Sequence, residues 1–173
     1  MNKSILILSV IAVSFALNTV SCKSDNKAYI IGLNQNIHHD DFEYSVTSFK
    51  TTPKIETEKD TIFARGIFYL IHFKVVNNAL RVGHQWNNSI AYMVDEKGNR
   101  YENIEENQDI INRYIPFGFK KIYNTPHGSA DSTILVFDFP ADAREPYLMV
   151  RGEILMGDAF NRAKFRKMKV KLF

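Results

Sequence analysis

The segment GIFYLIHFKVVNN, residues 66–78, constrains the fold more than any other stretch of the chain. Ile67, Tyr69, Ile71, Phe73 and Val75 fall at every second position, and His72 and Lys74 occupy alternate ones. A period of two is that of a β-strand, whose successive side chains point to opposite faces. The second face opens apolar, with Phe68 and Leu70, so this strand is expected to be central in its sheet and partly covered on both sides.

Other short apolar runs follow the same logic. FEYSVTSF alternates Phe42, Tyr44 and Val46 with Glu43, Ser45 and Thr47. SIAYMVDEKGNRYENI reads as a hairpin: Ile90, Tyr92 and Val94 alternate, DEKGN supplies the turn with Gly98 for a positive φ, and Arg100 and Tyr101 begin the return. STILVFDF is stopped by Pro140, and YLMVRGEIL starts another strand at Tyr147. The final KFRKMKVKLF sets Met168, Val170 and Leu172 against Lys167, Lys169 and Lys171, lysines that would protect an open sheet edge. EENQDIINRY, with acids early and Arg113 late, suits one short surface helix. Many short strands with one minor helix predict an all-β, antiparallel β-sandwich over residues 30–173.

The N-terminus carries a different signal. Lys3 precedes the apolar run ILILSVIAVSFAL, which as a helix would reach roughly 20 Å, short of the ~30 Å hydrocarbon core of a bilayer. Residues 1–21 are therefore expected to be an export signal. Val20 and Ser21 lead directly to Cys22, the only cysteine, and the arrangement resembles the lipobox of bacterial lipoproteins, with Thr19 where that family usually has leucine. The resemblance implies a diacylglycerol on the Cys22 thiol and cleavage just before it; the alternative is an ordinary signal followed by an incidental thiol. Cleavage there removes 21 of 173 residues and one lysine, leaving 152 residues and a formal charge of +2. That length suits one domain that buries about two thirds of its unfolded surface without a disulfide. Residues 22–29 read as the lipidated cysteine and a polar tether. Lys23, Ser24 and Asp25 resemble the lysine-and-acid signal of outer-membrane lipoproteins displayed on the cell surface.

DDFEYSV, GIFYLIHFKVVNN, YMVDEKGNRYE and HGSADSTILVFDFPADA, in that order, resemble the immunoprotective extracellular immunoglobulin-like domains of bacterial secreted proteins and lipoproteins. The resemblance covers roughly residues 30–172 and implies an immunoglobulin-like sandwich with a binding role at the cell envelope. Each piece also has a local cause. Asn77 and Asn78 can cap a strand end, and Gly98 and Gly128 permit tight turns.

Several residue groups are candidates for chemistry. His38, His39, Asp40 and Asp41 are the densest set of metal-ligand types. In an extended segment only His38 with Asp40, or His39 with Asp41, face one ion, so a third ligand such as His84 or His127 would be needed; a solvated loop is the competing reading. His84, Trp86 and Asn87 lie in VGHQWNNS, expected to be a loop, where the only tryptophan amid amides suits a glycan or a partner hot spot. The competing reading is that Trp86 plugs one end of the sandwich. Thr61 and Ser132 follow aspartates in triplets resembling acceptors for periplasmic O-glycosylation. Glu105 and Glu106 read as solvated charge, and no nucleophile elbow or phosphate-cradling loop occurs. Arg162, Lys164, Arg166, Lys167, Lys169 and Lys171 could meet headgroups or polysaccharide, or form the polar face of a last strand.

Together these features predict a non-catalytic, lipid-anchored outer-membrane module, surface-exposed, that presents loops to an envelope protein or glycan. No cofactor and no nucleic-acid partner is expected. The alternative is a metal-dependent or hydrolytic envelope enzyme built on His38–Asp41.

Overall fold

A computed structural model of the chain describes residues 28–56, 61–103, 122–151 and 168–173. These form an immunoglobulin-like antiparallel β-sandwich. One sheet has four strands in the spatial order β2 (Ile37–His39), β3 (Phe42–Glu56), β4 (Thr61–Asn77) and β9 (Ser129–Phe139). The other has five, in the order β1 (Tyr29–Ile31), β11 (Met168–Lys171), β10 (Tyr147–Val150), β6 (Ala91–Val94) and β7 (Arg100–Tyr101). A two-stranded ribbon of β5 (His84–Trp86) and β8 (Tyr123–Thr125) closes one end.

β4 is central, as its two-sided apolar pattern requires. Ile71, Phe73 and Val75 point inward onto Leu135, Phe137, Met93, Leu148 and Val170 in the main core. Phe68, on the opposite face, is fully buried in a second cluster with Ile55 and Val136, flanked by Leu70 and Ile134. Burying a side chain of this size contributes about 1.5–3 kcal/mol, so both faces of β4 are energetically committed.

The β3–β4 hairpin runs well beyond FEYSVTSF, because Pro53 does not end β3. Thr52 pairs with Phe68 and Lys54 with Phe63, so β4 bulges opposite the proline, where no N–H is available for the ladder. The displaced amides of Arg65 and Gly66 donate instead to the two carboxylate oxygens of Asp138, at 2.8 and 3.0 Å. A Cβ on Gly66 would lie 2.1 Å from the carbonyl oxygen of Phe139, so only glycine fits.

The β6–β7 hairpin turns as its sequence indicates, with Gly98 at φ +83°. Asp95 is almost fully buried within this turn and accepts hydrogen bonds from the amides of Lys97 and Asn99, the Asn99 side chain and the Tyr101 hydroxyl. Burial pushes its carboxyl upward, but these donors outweigh that and hold it below the usual aspartate value.

Two sequence expectations change. VGHQWNNS is not an irregular loop: β5 pairs with β8, and a 3-10 turn over Asn88–Ile90 follows, capped by the Asn87 side chain on the Ser89 amide. The lysines of the last strand guard no edge, because β11 lies between β1 and β10; β1 joins it in parallel and takes the outside position. That places Val170 and Leu172 in the core and leaves Lys171 in solvent. The helix expected at 105–114, with Glu105 and Glu106, lies outside the described residues, as do Arg162, Lys164, Arg166 and Lys167.

Candidate functional site

A cleft of about 640 Å³ opens at one end of the sandwich, where both sheets and the β5–β8 ribbon meet. The end of β2, the turn after it and the start of β3 contribute His39, Asp40, Phe42 and Tyr44. The segment after β4 contributes Val82 through Asn87, and Ser89, Ile90 and Arg151 complete the lining.

Aromatic contacts set the walls. The His84 ring stacks on Phe42 at 4.0 Å between centroids, and its Nε2 is 2.9 Å from the Tyr44 hydroxyl. Tyr44 stacks in turn on Phe73 of the core, so the wall is continuous with the sandwich interior. Trp86 is only 5% exposed, and its indole lies flat on Tyr123 at 4.1 Å. Its Nε1–H donates to Thr125 Oγ1, whose hydroxyl donates to Asp131 Oδ2, both at 2.9 Å. A buried Trp N–H left without an acceptor would cost about 1–3 kcal/mol, which this relay avoids. Trp86 is thus an end plug that forms part of the cleft wall and is not an open platform.

The loop at the rim is held by Asn77, which has no exposed surface. Its Nδ2 donates to the carbonyls of Val82 and Thr125 at 2.8 and 3.0 Å, and its Oδ1 accepts from the amide of Ala79 at 2.9 Å. The neighbouring Asn78 amide donates to Asp41 O, and its side chain donates to Glu43 Oε1. Both asparagines therefore act at the end of β4, and Asn77 also reaches across to β8.

Arg151 is committed to structure as much as to the cleft. It pairs with Glu102, donates from Nε to the carbonyl of Ser89 at 2.5 Å and lies 5.4 Å from the Tyr92 ring centre. The cleft is therefore lined by aromatic and imidazole surface, the Gln85 amide, the Asp40 carboxylate and an Asn87–Ser89 pair in which Asn87 Oδ1 already accepts from the Ser89 amide and hydroxyl. That set can stack on and hydrogen-bond a polar ligand.

The His38–Asp41 segment is arranged differently from an extended strand. Asp40 has φ +54°, which ends the alternation, so the consecutive residues His39 and Asp40 line the cleft. His38 points away, mostly exposed and 3.6 Å from Glu43. His84 does come to the same cleft, whereas His127 is exposed on the turn before β9 and is not part of the lining. Among the described residues, no group of three or more His, Cys, Asp or Glu side chains stands where it could hold a metal ion.

The remaining candidates separate. Ser132 is exposed on β9, opposite Lys74, and Thr61 is half-buried at the start of β4. Cys22, Lys23, Ser24 and Asp25 lie outside the described residues. Phe42, Tyr44, Ser89 and Arg151 join the cleft without any local signal, since the first two read as ordinary core-facing strand positions. No helix among the described residues is long and apolar enough to cross a membrane.

No protein-family model matches the chain, and no curated protein matches its sequence. Solved structures do match its fold. The yjhA protein of Bacillus subtilis aligns over 82% of this chain and 98% of its own, with TM-score 0.56 and 11% identity. MPT63, a secreted protein of Mycobacterium tuberculosis, aligns over 84% and 98%, with TM-score 0.54 and 11% identity. An uncharacterised β-sandwich protein of Clostridium difficile aligns over 87% and 98%, with TM-score 0.50 and 11% identity. At such identity the likeness is one of fold, and none of these names states an activity.

Proposed function

We propose that this protein is a lipid-anchored, non-catalytic binding module of the bacterial cell envelope, held by acyl chains on Cys22 and engaging a glycan or protein through the cleft. The observation that carries the binding reading is the cleft itself: about 640 Å³ of aromatic wall with polar and charged hydrogen-bonding groups at one end of the sandwich. Sugars and protein hot spots share a need for that combination. The anchor is supported by the apolar N-terminal run ending at the single cysteine, and surface display by Lys23, Ser24 and Asp25. The motif resemblance to envelope immunoglobulin-like domains agrees with both.

Two measurements test the two halves separately. Cys22→Ala is expected to abolish fatty-acid labelling and to release the protein from membranes; a variant that stays membrane-bound after salt and carbonate washing would disprove the anchor. The second is photo-crosslinking on intact cells from a reactive residue replacing Gln85. It should capture an envelope component that an identical probe at Lys50, on β3 away from the cleft lining, does not. Identical capture from both positions would remove the cleft as the binding site.

A further inference from the structure

Strand register shows which end of the sandwich the N-terminal tether meets. Tyr29 pairs in parallel with Met168, so both strands start at the same end. β10 runs antiparallel to β11, with Tyr147 opposite Lys171, so its last residue, Val150, stands at the Tyr29 end. Val150 pairs with Ala91, and the next amide, of Arg151, donates to Ile90 O. Ile90 and Arg151 line the cleft together with Asp40, Phe42 and Val82. The cleft and the entry point of the tether therefore share one end of the domain.

The same end holds an unusual loop. Leu80 is 88% exposed and Val82 58%, and Arg81 between them makes no ion pair among the described residues. Single exposed apolar residues are ordinary on protein surfaces. Here, however, two stand on one short loop whose backbone Asn77 pins at Ala79 and Val82, which holds both side chains outward. Tyr29 and Ile30, 54% and 60% exposed, add apolar surface beside the tether.

From these placements we infer that the cleft end of the domain rests on the bilayer, with Leu80 and Val82 in the interface and Arg81 on lipid phosphate. The inference rests on the proposed anchor at Cys22 and narrows the partner: whatever enters the cleft does so at headgroup level. The residues from Cys22 to Ala28 span at most about 25 Å, so the Tyr29 end cannot stand far from the membrane. The opposite tip of the β3–β4 hairpin, at Phe63, lies roughly 45 Å along β4 from Asn77. Two apolar side chains and one cation would not hold a free domain on lipid. On a tethered domain the effective concentration of lipid is so high that such a contact suffices.

The test uses the full acylated protein, in which Cys22 is blocked and an introduced thiol is unique. Leu80→Cys and, as the far control, Phe63→Cys are each labelled with a polarity-sensitive fluorophore. Each is then reconstituted into phosphatidylethanolamine–phosphatidylglycerol vesicles carrying a spin-labelled lipid quencher. The label at position 80 is expected to shift to the blue and to be quenched severalfold more than the label at position 63. Arg81→Glu in the Leu80→Cys background should reduce that quenching without releasing the protein from vesicles. An acylated, vesicle-bound protein whose two labels are quenched equally, or not at all, overturns the orientation and leaves a protein partner as the occupant of the loop. Intact mass showing no acyl chain on Cys22 overturns the anchor, and the orientation with it.

Discussion

Replacement of Asn77 provides the sharpest test of how the cleft end is built. Its carboxamide satisfies two carbonyls and one amide from two separate segments, all without solvent contact at the side chain. Asn77→Ala leaves the Thr125 carbonyl, in a fully buried residue, with only its ladder bond to β5, whereas Val82 O and Ala79 N sit on a loop where water can replace the lost partner. Three lost hydrogen bonds at about 0.5–1.5 kcal/mol each, one of them at a buried carbonyl, give a loss of about 2–4 kcal/mol. Asn77→Asp separates hydrogen bonding from shape. A carboxylate would set oxygens against the two carbonyls, so burial and repulsion raise its pKa above that of an unfolded aspartate. An acid with a raised folded pKa destabilises above its unfolded value and recovers as it protonates. The Asp variant should therefore be the less stable of the two at pH 7 and should gain on the Ala variant as pH falls toward 4. Urea denaturation of both variants across this range reads the difference directly, and comparing them at each pH cancels every other titrating group. If Asn77→Ala stays within 0.5 kcal/mol of the parent, or the two variants keep a constant difference from pH 7 to 4, the account of the loop is wrong.

Three further outcomes follow from the same structure. Gly66→Ala forces a methyl against the Phe139 carbonyl and should cost about 1–3 kcal/mol or more, seen as a clear drop in melting temperature while the exposed Ser132→Ala leaves it unchanged. Asp95 has a folded pKa below its ordinary value of 3.8, so the stability it contributes is present above that value and lost as pH falls through the folded pKa. Asp95→Asn should accordingly lower stability at neutral pH and flatten the acid limb of the stability curve; an unchanged limb would contradict the hydrogen-bond geometry. Because Trp86 is the only tryptophan and is buried, its emission should be blue relative to free indole and poorly quenched by iodide. Thr125→Val, which removes its acceptor, should shift that emission and destabilise the domain by about 1–3 kcal/mol.

The period-two runs carried the sandwich, because alternation reports directly which side chains a sheet must bury. The central place of β4 was legible for the same reason, since Phe68 and Leu70 broke the polar face. Pro53 hid the length of β3, because its effect on the ladder is absorbed by a bulge on the neighbouring strand. The lysines of β11 suggested an edge, yet whether a strand has one neighbour or two depends on another segment, here β1, returning from the far end of the sequence. His39 and Asp40 share the cleft only because one residue adopts a positive φ, a choice that aspartate permits but does not dictate.

The chain by itself determined the main strands, β3, β4, β6, β9, β10 and β11, and which faces they bury, since local alternation and turn chemistry are properties of neighbouring residues. Its N-terminal signature is likewise a matter of adjacent residues, from the apolar run to Cys22. Only the tertiary structure decided that Trp86 lies flat on Tyr123, that Asn77 binds the rim of the cleft to β8, and that Tyr29 stands at the same end as the cleft. Each of these joins residues distant in sequence, and register between non-adjacent strands is set by the packing of the whole core rather than by any one segment.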